Sequence, residues 1–468
     1  MAGQVVQAVP PTLGELNQKG LLERAFHDGL YPNLAFRAEA MPEEWPANSG
    51  QEIFMSRAGL LKVAVKPIPV GTDPVGQSVP FEQWAAYLAQ FADSIDTHMP
   101  TATTANANLL LRNIKQLGLQ AGQSINRVAR NSLFQAYLQG QAVTIATIAA
   151  IDTSIRVSAV NGFTEVVIPG SNVRPQPVSP NFPLPITIGS VGVGNGQTTN
   201  TVIGFTPDSA SDPVGPGTLQ LGAAVGVTYP LRAAVKSLFA PTIVRSAAGD
   251  SIDAIGPGDT LTLQQCINAV AQLRRANVQP HPDGFYHAHV SPLANAQFFT
   301  DPVFQRLNQS LPEHVIYKEG FLGYMSGIMF FMNTESPESF NSGALVATAN
   351  SGVYADELGA EVVNGTGVSV GRVIITGRGA IYERYLDESQ YVTEAGTLGK
   401  IGEFAINNNS IQVSTERIRL VLRAPIDKLQ QIVTSTWSIT TSFPIPSDIT
   451  APSGPQRYKR AIALEFAL

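Results

Sequence analysis

Between Asn106 and Gln139, Leu110, Ile114, Leu117, Ala121, Ile125, Val128, Ser132 and Ala136 advance by three or four positions. That spacing predicts one largely apolar stripe along a helix of about 50 Å, at a rise of 1.5 Å per residue. It is the clearest element in the chain. Gly118 and Gly122 are places where it can bend. Its other side carries Arg112, Lys115, Arg127 and Arg130, a solvated face that could also meet acidic partners.

Outside this helix the chain is heavily punctuated. Its 468 residues, enough for about three average domains, include 41 Gly and 33 Pro, and only 14% are charged against roughly 25% in ordinary soluble domains. Apolar residues stand at a normal 44%, so uncharged polar residues, Gly and Pro have replaced the charge. A free monomer normally keeps soluble with a well-charged skin, and so thin a one points to a surface that ends against other protein. The net charge of −6 argues against tight wrapping of nucleic acid, whose affinity comes from Lys and Arg displacing counterions. Cys266 is the single cysteine, which excludes an internal disulfide, a cysteine zinc cluster and a redox pair. The first residues, with Pro10 and Pro11, lack the basic head and apolar run of a secretory signal. No stretch reaches the roughly 20 apolar residues of a membrane helix. The expectation is a soluble, cytoplasmic or particle-associated protein.

Residues 1–50 mix short apolar groups with Pro32, Pro42 and Pro46 and hold no period; they read as an arm that could be removed without loss of the core. Leu61, Val63 and Val65 alternate before the run Pro67, Pro69, Gly71, Pro74, Gly76 and Pro80, the signature of a projecting hairpin with a long exposed loop. Trp84, Tyr87, Leu88, Phe91 and Ile95 repeat at helical spacing, although their aromatic character also suits a strand; periodicity favours helix. From Asn161 to Pro230, 21 of 70 residues are Gly or Pro, and alternation recurs at Ile155–Ala159, Ile186–Ile188, Val191–Val193 and Leu219–Val227. Such short alternating runs predict an all-β block, tolerant of excision between about 155 and 232. Thr262 and Gln265 are spaced as a capping box for a helix over Asp259–Ala276, with Cys266 on its apolar face. Strands dominate from Gly284 onward, at Phe285–Val290, Gly327–Met332, Ala344–Ala347, Arg372–Thr376, Ile418–Leu422 and Trp437–Phe443. The class is α+β.

Little in the chain reads as catalytic. His287 and His289, two apart in a strand, share a face and could form half of a metal site with His281, Asp283, Glu313 or His314; no His-Glu-x-x-His frame accompanies them. A metal-dependent hydrolase built on this pair is the competing enzymatic reading. There is no Gly-x-Ser-x-Gly elbow, and Cys266 has no adjacent base. Gly192, Gly194 and Gly196 lack the Lys-Ser/Thr of a phosphate loop, and Gly377-Arg-Gly379 reads as a turn. The chain is therefore read as no enzyme, with no catalytic residue, metal or cofactor.

The order of parts, a Pro-rich arm, a projecting hairpin, a long helix, an inserted β region and a mixed half ending in strands, resembles the major capsid proteins of tailed double-stranded DNA bacteriophages with the Hong Kong 97 phage-like fold. Local wording is similar too: Gly284-Phe-Tyr-His-Ala-His-Val-Ser-Pro292 followed by Phe299, Asp301-Pro302 and Phe304, then Tyr317-Lys-Glu-Gly320 and Gly323-Tyr-Met-Ser-Gly-Ile-Met-Phe330. Gly371-Arg-Val-Ile-Ile-Thr-Gly377, Arg423-Ala-Pro-Ile-Asp427 and Tyr458-Lys-Arg460 look like the family's returning strands.

The resemblance implies an N-terminal arm at 1–50, an extended loop at 51–97, a peripheral domain with the spine helix at 98–150, an inserted β domain at 151–235, an axial domain at 236–405 and C-terminal strands at 406–468 returning to the peripheral domain. The helical period at Trp84–Ile95 departs from the strand expected there. The implied function is a coat protein that self-assembles into hexamers and pentamers of an icosahedral shell around double-stranded DNA. Scaffold, portal and decoration proteins are its further implied partners, DNA contact is weak and non-specific, and no membrane is involved. The implied location is the virion, assembled in the host cytoplasm; a nanocompartment shell shares the fold, and a tail or decoration protein is a further alternative. Arg57, Lys62 and Lys66 on the loop are the candidates to meet acidic groups of the next subunit. Some relatives weld subunits by a Lys to Asn isopeptide bond, which Lys62 or Lys66 with one of Asn407 to Asn409 could imitate.

Overall fold

A computed structural model gives the fold. It describes residues 24–30, 34–46, 49–58, 64–77, 79, 81–104, 109–166, 174–190, 196–210, 212–309, 323–333, 335, 346–347, 354–355, 361–386, 410–415, 417–423, 429, 431–446 and 459–468. The chain forms two compact units, each assembled from three separate stretches: 1–53, 86–129 and 381–444 in the first, 54–85, 130–380 and 445–468 in the second.

The first unit holds a six-stranded sheet in which Met41–Glu44 runs parallel to Tyr382–Tyr385, followed by Ile432–Ser442, Ile418–Arg423 and Ser410–Thr415, while Ala89–His98 pairs along Ile432–Ser442. The long helix forms as its stripe predicts, over Leu109–Leu138, with residues up to Ala129 in this unit. It is tied to the sheet by Asn113, whose amide donates to the Thr97 hydroxyl at 2.9 Å, and by Gln120, which accepts from the Trp437 indole at 3.4 Å and donates to Asp93. Residues 24–30 are helical and cross the long helix at contact distance: a Cβ on Gly118 would lie 2.4 Å from the Phe26 carbonyl oxygen, and one on Gly29 2.3 Å from that of Lys115.

Two expectations fail. Phe26, Leu30, Phe36 and Trp45 are buried, the Phe36 amide donates to Asn126 Oδ1 at 2.7 Å, and Met41–Glu44 is a sheet strand. The described part of 1–50 is thus core rather than a detachable arm. Its apolar residues hold no period because they come from a short helix, a turn and a strand in succession. Trp84–Ile95, expected as helix, lies in two strands, Phe81–Tyr87 and Ala89–His98. Spacings of four satisfy both periods, and the alternation is plain in burial: Glu82, Trp84 and Ala86 are buried while their neighbours are not.

The second unit contains two larger sheets. One runs Ile243–Arg245, Ala461–Ala467, Val370–Thr376, Tyr286–Val290, Ile328–Met332, Tyr324–Met325. Its central strands Val370–Thr376 and Ala461–Ala467 are buried at every residue, which is why they read as apolar runs without alternation. The helix Leu263–Arg275 packs Leu263, Cys266, Val270 and Leu273 into the same core as Ala288, Phe298 and Phe330, and the capping box of Thr262 and Gln265 is formed. The last strand, in the region expected to return to the peripheral domain, belongs to this sheet instead, paired with Val370–Thr376 from Ala461↔Thr376 to Ala467↔Val370. Its charged residue is matched: Glu465 accepts from Arg245 Nε at 2.9 Å and faces Arg372 Nε at 3.4 Å.

The other sheet has the order Gln141–Val143, Ala234–Ser237, Leu184–Ile188, Thr198–Ser209, Asp212–Leu221, Ser154–Val157, antiparallel throughout. Its two end strands meet. Thr144 bridges Val157, and the Ser158 amide donates to the Val143 carbonyl at 2.8 Å, so the sheet closes into a six-stranded barrel filled by Ile155, Val157, Leu184, Ile186, Ile188, Val202 and Leu219. Closure removes free strand edges. The block begins about ten residues earlier than its composition indicates, because strand Gln141–Val143 follows the long helix without a Gly/Pro-rich stretch to mark it. The chain enters and leaves side by side, with the Ser237 amide donating to the Gly140 carbonyl at 2.7 Å.

Candidate functional site

A hairpin is present, though not where the alternation pointed, since Val65 lies in its loop and Leu61 and Val63 lie outside the described residues; its paired strands are Glu52–Ala58 and Phe81–Tyr87. Between them the described residues 64–77 hold no helix or strand, and all of them are exposed. Pro67, Pro69 and Pro74 remove backbone donors and set φ, so this stretch cannot continue a ladder. What it carries is apolar. Val65 is 80% exposed, Val70 fully, Val75 92%, and Ile68 54%. Four apolar side chains of one loop thus stand in water.

The three cations proposed for this region fare differently. Arg57 is not presented outward: its guanidinium pairs with Glu82 at 3.0 Å, where the carboxylate is 1% exposed, and lies 5.8 Å over the Trp84 ring. It ties the two strands together where they meet the loop. Lys66 is exposed on the loop. Lys62, and Asn407 to Asn409 of the suggested cross-link, lie outside the described residues. Sequence reasoning missed Glu82, 25 positions from Arg57, and also Arg174, which donates to Gln83 at 2.8 Å and stacks its guanidinium 4.0 Å over Phe54. No local pattern announces either contact.

The histidines are also arranged differently from the expected pair. His287 does not pair with His289. Its Nε2 lies 2.7 Å from Asp283 Oδ2, and its ring stacks on that of His281 with centroids 3.9 Å apart and 8° between planes. His289 is buried, stacked on Phe331 at 5.6 Å. Strand Tyr286–Val290 does place both on one face, but the Phe331 ring packs against each of them there. Cys266 is fully buried, and burial, with the Asp301 carboxylate adding to it, pushes its thiol up to about 12, far from an activated nucleophile. Among the described residues no helix is long and apolar enough to cross a membrane.

No protein-family model and no curated protein matches the chain. Among solved structures it is similar to a capsid chain of cyanophage P-SCSP1u, at 10% identity over 91% of this chain and 85% of that one, with a TM-score of 0.43. It is similar to a chain of the cyanophage Pam1 capsid asymmetric unit, at 8% identity over 92% and 89%, TM-score 0.44. A third similarity, at 8% identity over 92% and 86% and TM-score 0.44, is to the mature capsid of bacteriophage PhiM1.

Proposed function

We propose that this chain is the major capsid protein of a tailed bacteriophage, a structural subunit that assembles with copies of itself into hexamers and pentamers of an icosahedral shell enclosing double-stranded DNA. The observation that carries the reading is the exposed apolar loop on a hairpin whose strands are pinned next to the loop by Arg57 and Glu82. In the shell this loop lies over a neighbouring subunit, and Lys66 faces an acidic group there. The sequence resemblance and the sparse surface charge support the same reading.

Each contact can be weak while the closed shell is stable, since one subunit makes several at once and multivalency multiplies them. The acidic balance suits a container that must not grip its genome. The barrel is an inserted domain of the shell subunit. Scaffold, portal and decoration proteins are the further partners, and the virion is the location. The test changes Val65, Ile68, Val70 and Val75 together to Ser. Circular dichroism of the variant matches the parent, while sedimentation shows shells replaced by unassembled subunits; undiminished assembly contradicts the proposal.

A further inference from the structure

Within the second unit a cavity of about 50 Å³ lies where three parts of the chain meet, with room for about three or four water-sized groups. Its walls come from the last turns of the long helix, from the first barrel strand and the residues after Ser154–Val157, and from the edge strand Ile243–Arg245 with Arg372 and Glu465 beside it. A space of this kind stays empty when its lining is apolar and takes a hydrogen-bonding occupant when it is polar. This lining carries charge.

Arg245 decides what the cavity can hold. Its side chain is 8% exposed. Its Nε donates to Glu465 Oε2 at 2.9 Å and its Nη2 to Gln141 Oε1 at 2.8 Å, while Nη1 has no partner among the described residues. Glu465 is shared with Arg372, whose Nε lies 3.4 Å from its Oε1, so this buried trio carries one positive charge in excess. A buried charge left without a counter-ion is costly. Half-buried Asp250 lines the same cavity but pairs with neither arginine, and among the described residues its carboxylate has no partner. Two neighbours extend the pattern. The Ser158 hydroxyl accepts from the Val143 amide at 3.2 Å and keeps its hydrogen to donate. The Asn161 side chain donates to the Gln135 carbonyl at 2.8 Å, which leaves its Oδ1 as an acceptor.

We propose that this cavity is a binding site for hydrogen phosphate. An occupant must accept from Arg245 Nη1 and Ser158 and donate to the Asp250 carboxylate, and hydrogen phosphate does both, with its ionised oxygens for the first and its P–OH for the second. Sulfate has nearly the same size but no proton at neutral pH, so its oxygens would face the Asp250 carboxylate directly. Acetate lacks the donor as well, and so does the phosphodiester of a nucleic acid. A bound ion would tie the first barrel strand to the buried sheet of the same unit. This assignment is independent of assembly.

The test is calorimetric titration of the full chain with inorganic phosphate at neutral pH and fixed ionic strength in chloride, repeated with sulfate, with acetate and with a dinucleotide. One phosphate per chain is expected, with each of the other three at least about tenfold weaker. Phosphate should also raise the thermal midpoint, as a ligand of the folded form does. R245Q should weaken phosphate binding at least about tenfold. If that variant loses its fold, D250N serves in its place: the Asp250 side chain has no partner to lose among the described residues, and an amide can donate to sulfate, so the preference for phosphate over sulfate should vanish. No stoichiometric phosphate binding by the parent chain, sulfate binding as tight as phosphate, unchanged affinity in a folded R245Q, or an unchanged preference in D250N overturns the proposal.

Discussion

Glycine at position 118 illustrates how a single residue sets the packing of the first unit. Replacing a helical Gly by Ala ordinarily stabilises by up to about 1 kcal/mol, but here the new methyl carbon would fall 2.4 Å from the Phe26 carbonyl oxygen, and backbone cannot step aside as a side chain can. G118A should therefore destabilise by about 1–3 kcal/mol, seen as a lower guanidinium midpoint; a rise would mean the two helical segments do not cross there. Glu465 makes a comparable point by charge. It is 4% exposed and serves both Arg245 and Arg372, so E465A leaves two buried guanidinium groups without their shared carboxylate and should cost about 3–5 kcal/mol. The exposed pair Arg156–Asp208, with side chains 44% and 41% accessible, gives the contrast: D208A should cost less than about 1 kcal/mol. Equal losses for the two variants would contradict this ranking.

At the level of elements, the barrel should behave as a removable part. Its entry and exit lie together at Gly140 and Ser237 and its core is its own, so deleting 141–237 and joining the ends should leave the remaining chain folded, with near-native far-ultraviolet dichroism of the remainder. Excision at 155–232, as composition alone indicates, would strand Gln141–Val143 and Ala234–Ser237 without their partners and should aggregate. Equal solubility of the two deletions would argue against closure of the barrel. The difference shows which boundaries a sequence exposes. The long helix and the capped helix at Leu263–Arg275 were legible because their apolar spacing and cap residues are local. Trp84–Ile95 was not, since positions four apart lie on one face in either period and Asp93, which takes the Gln120 amide, interrupts the alternation. The exposed loop could be read from its prolines. The partnership of Arg57 with Glu82, and of His287 with His281 rather than His289, depends on which strands meet and has no local signature.

In the whole molecule, chain order and spatial order diverge. Met41 pairs with Tyr382 and Ile243 with Ala463, so each unit closes only when distant stretches return to it. Residues 24–30 and 34–45 are part of that closure, and a chain lacking 1–50 should lose the first unit rather than remain a folded core. Under the proposed function, a lightly charged chain with an exposed apolar loop is complete only among its own copies. The most direct measurement is negative-stain microscopy of the purified full-length chain, paired with sedimentation velocity across a concentration series. Closed shells of uniform diameter, in equilibrium with small capsomer-sized species, are the expected result. A monodisperse monomer at every concentration would contradict the account.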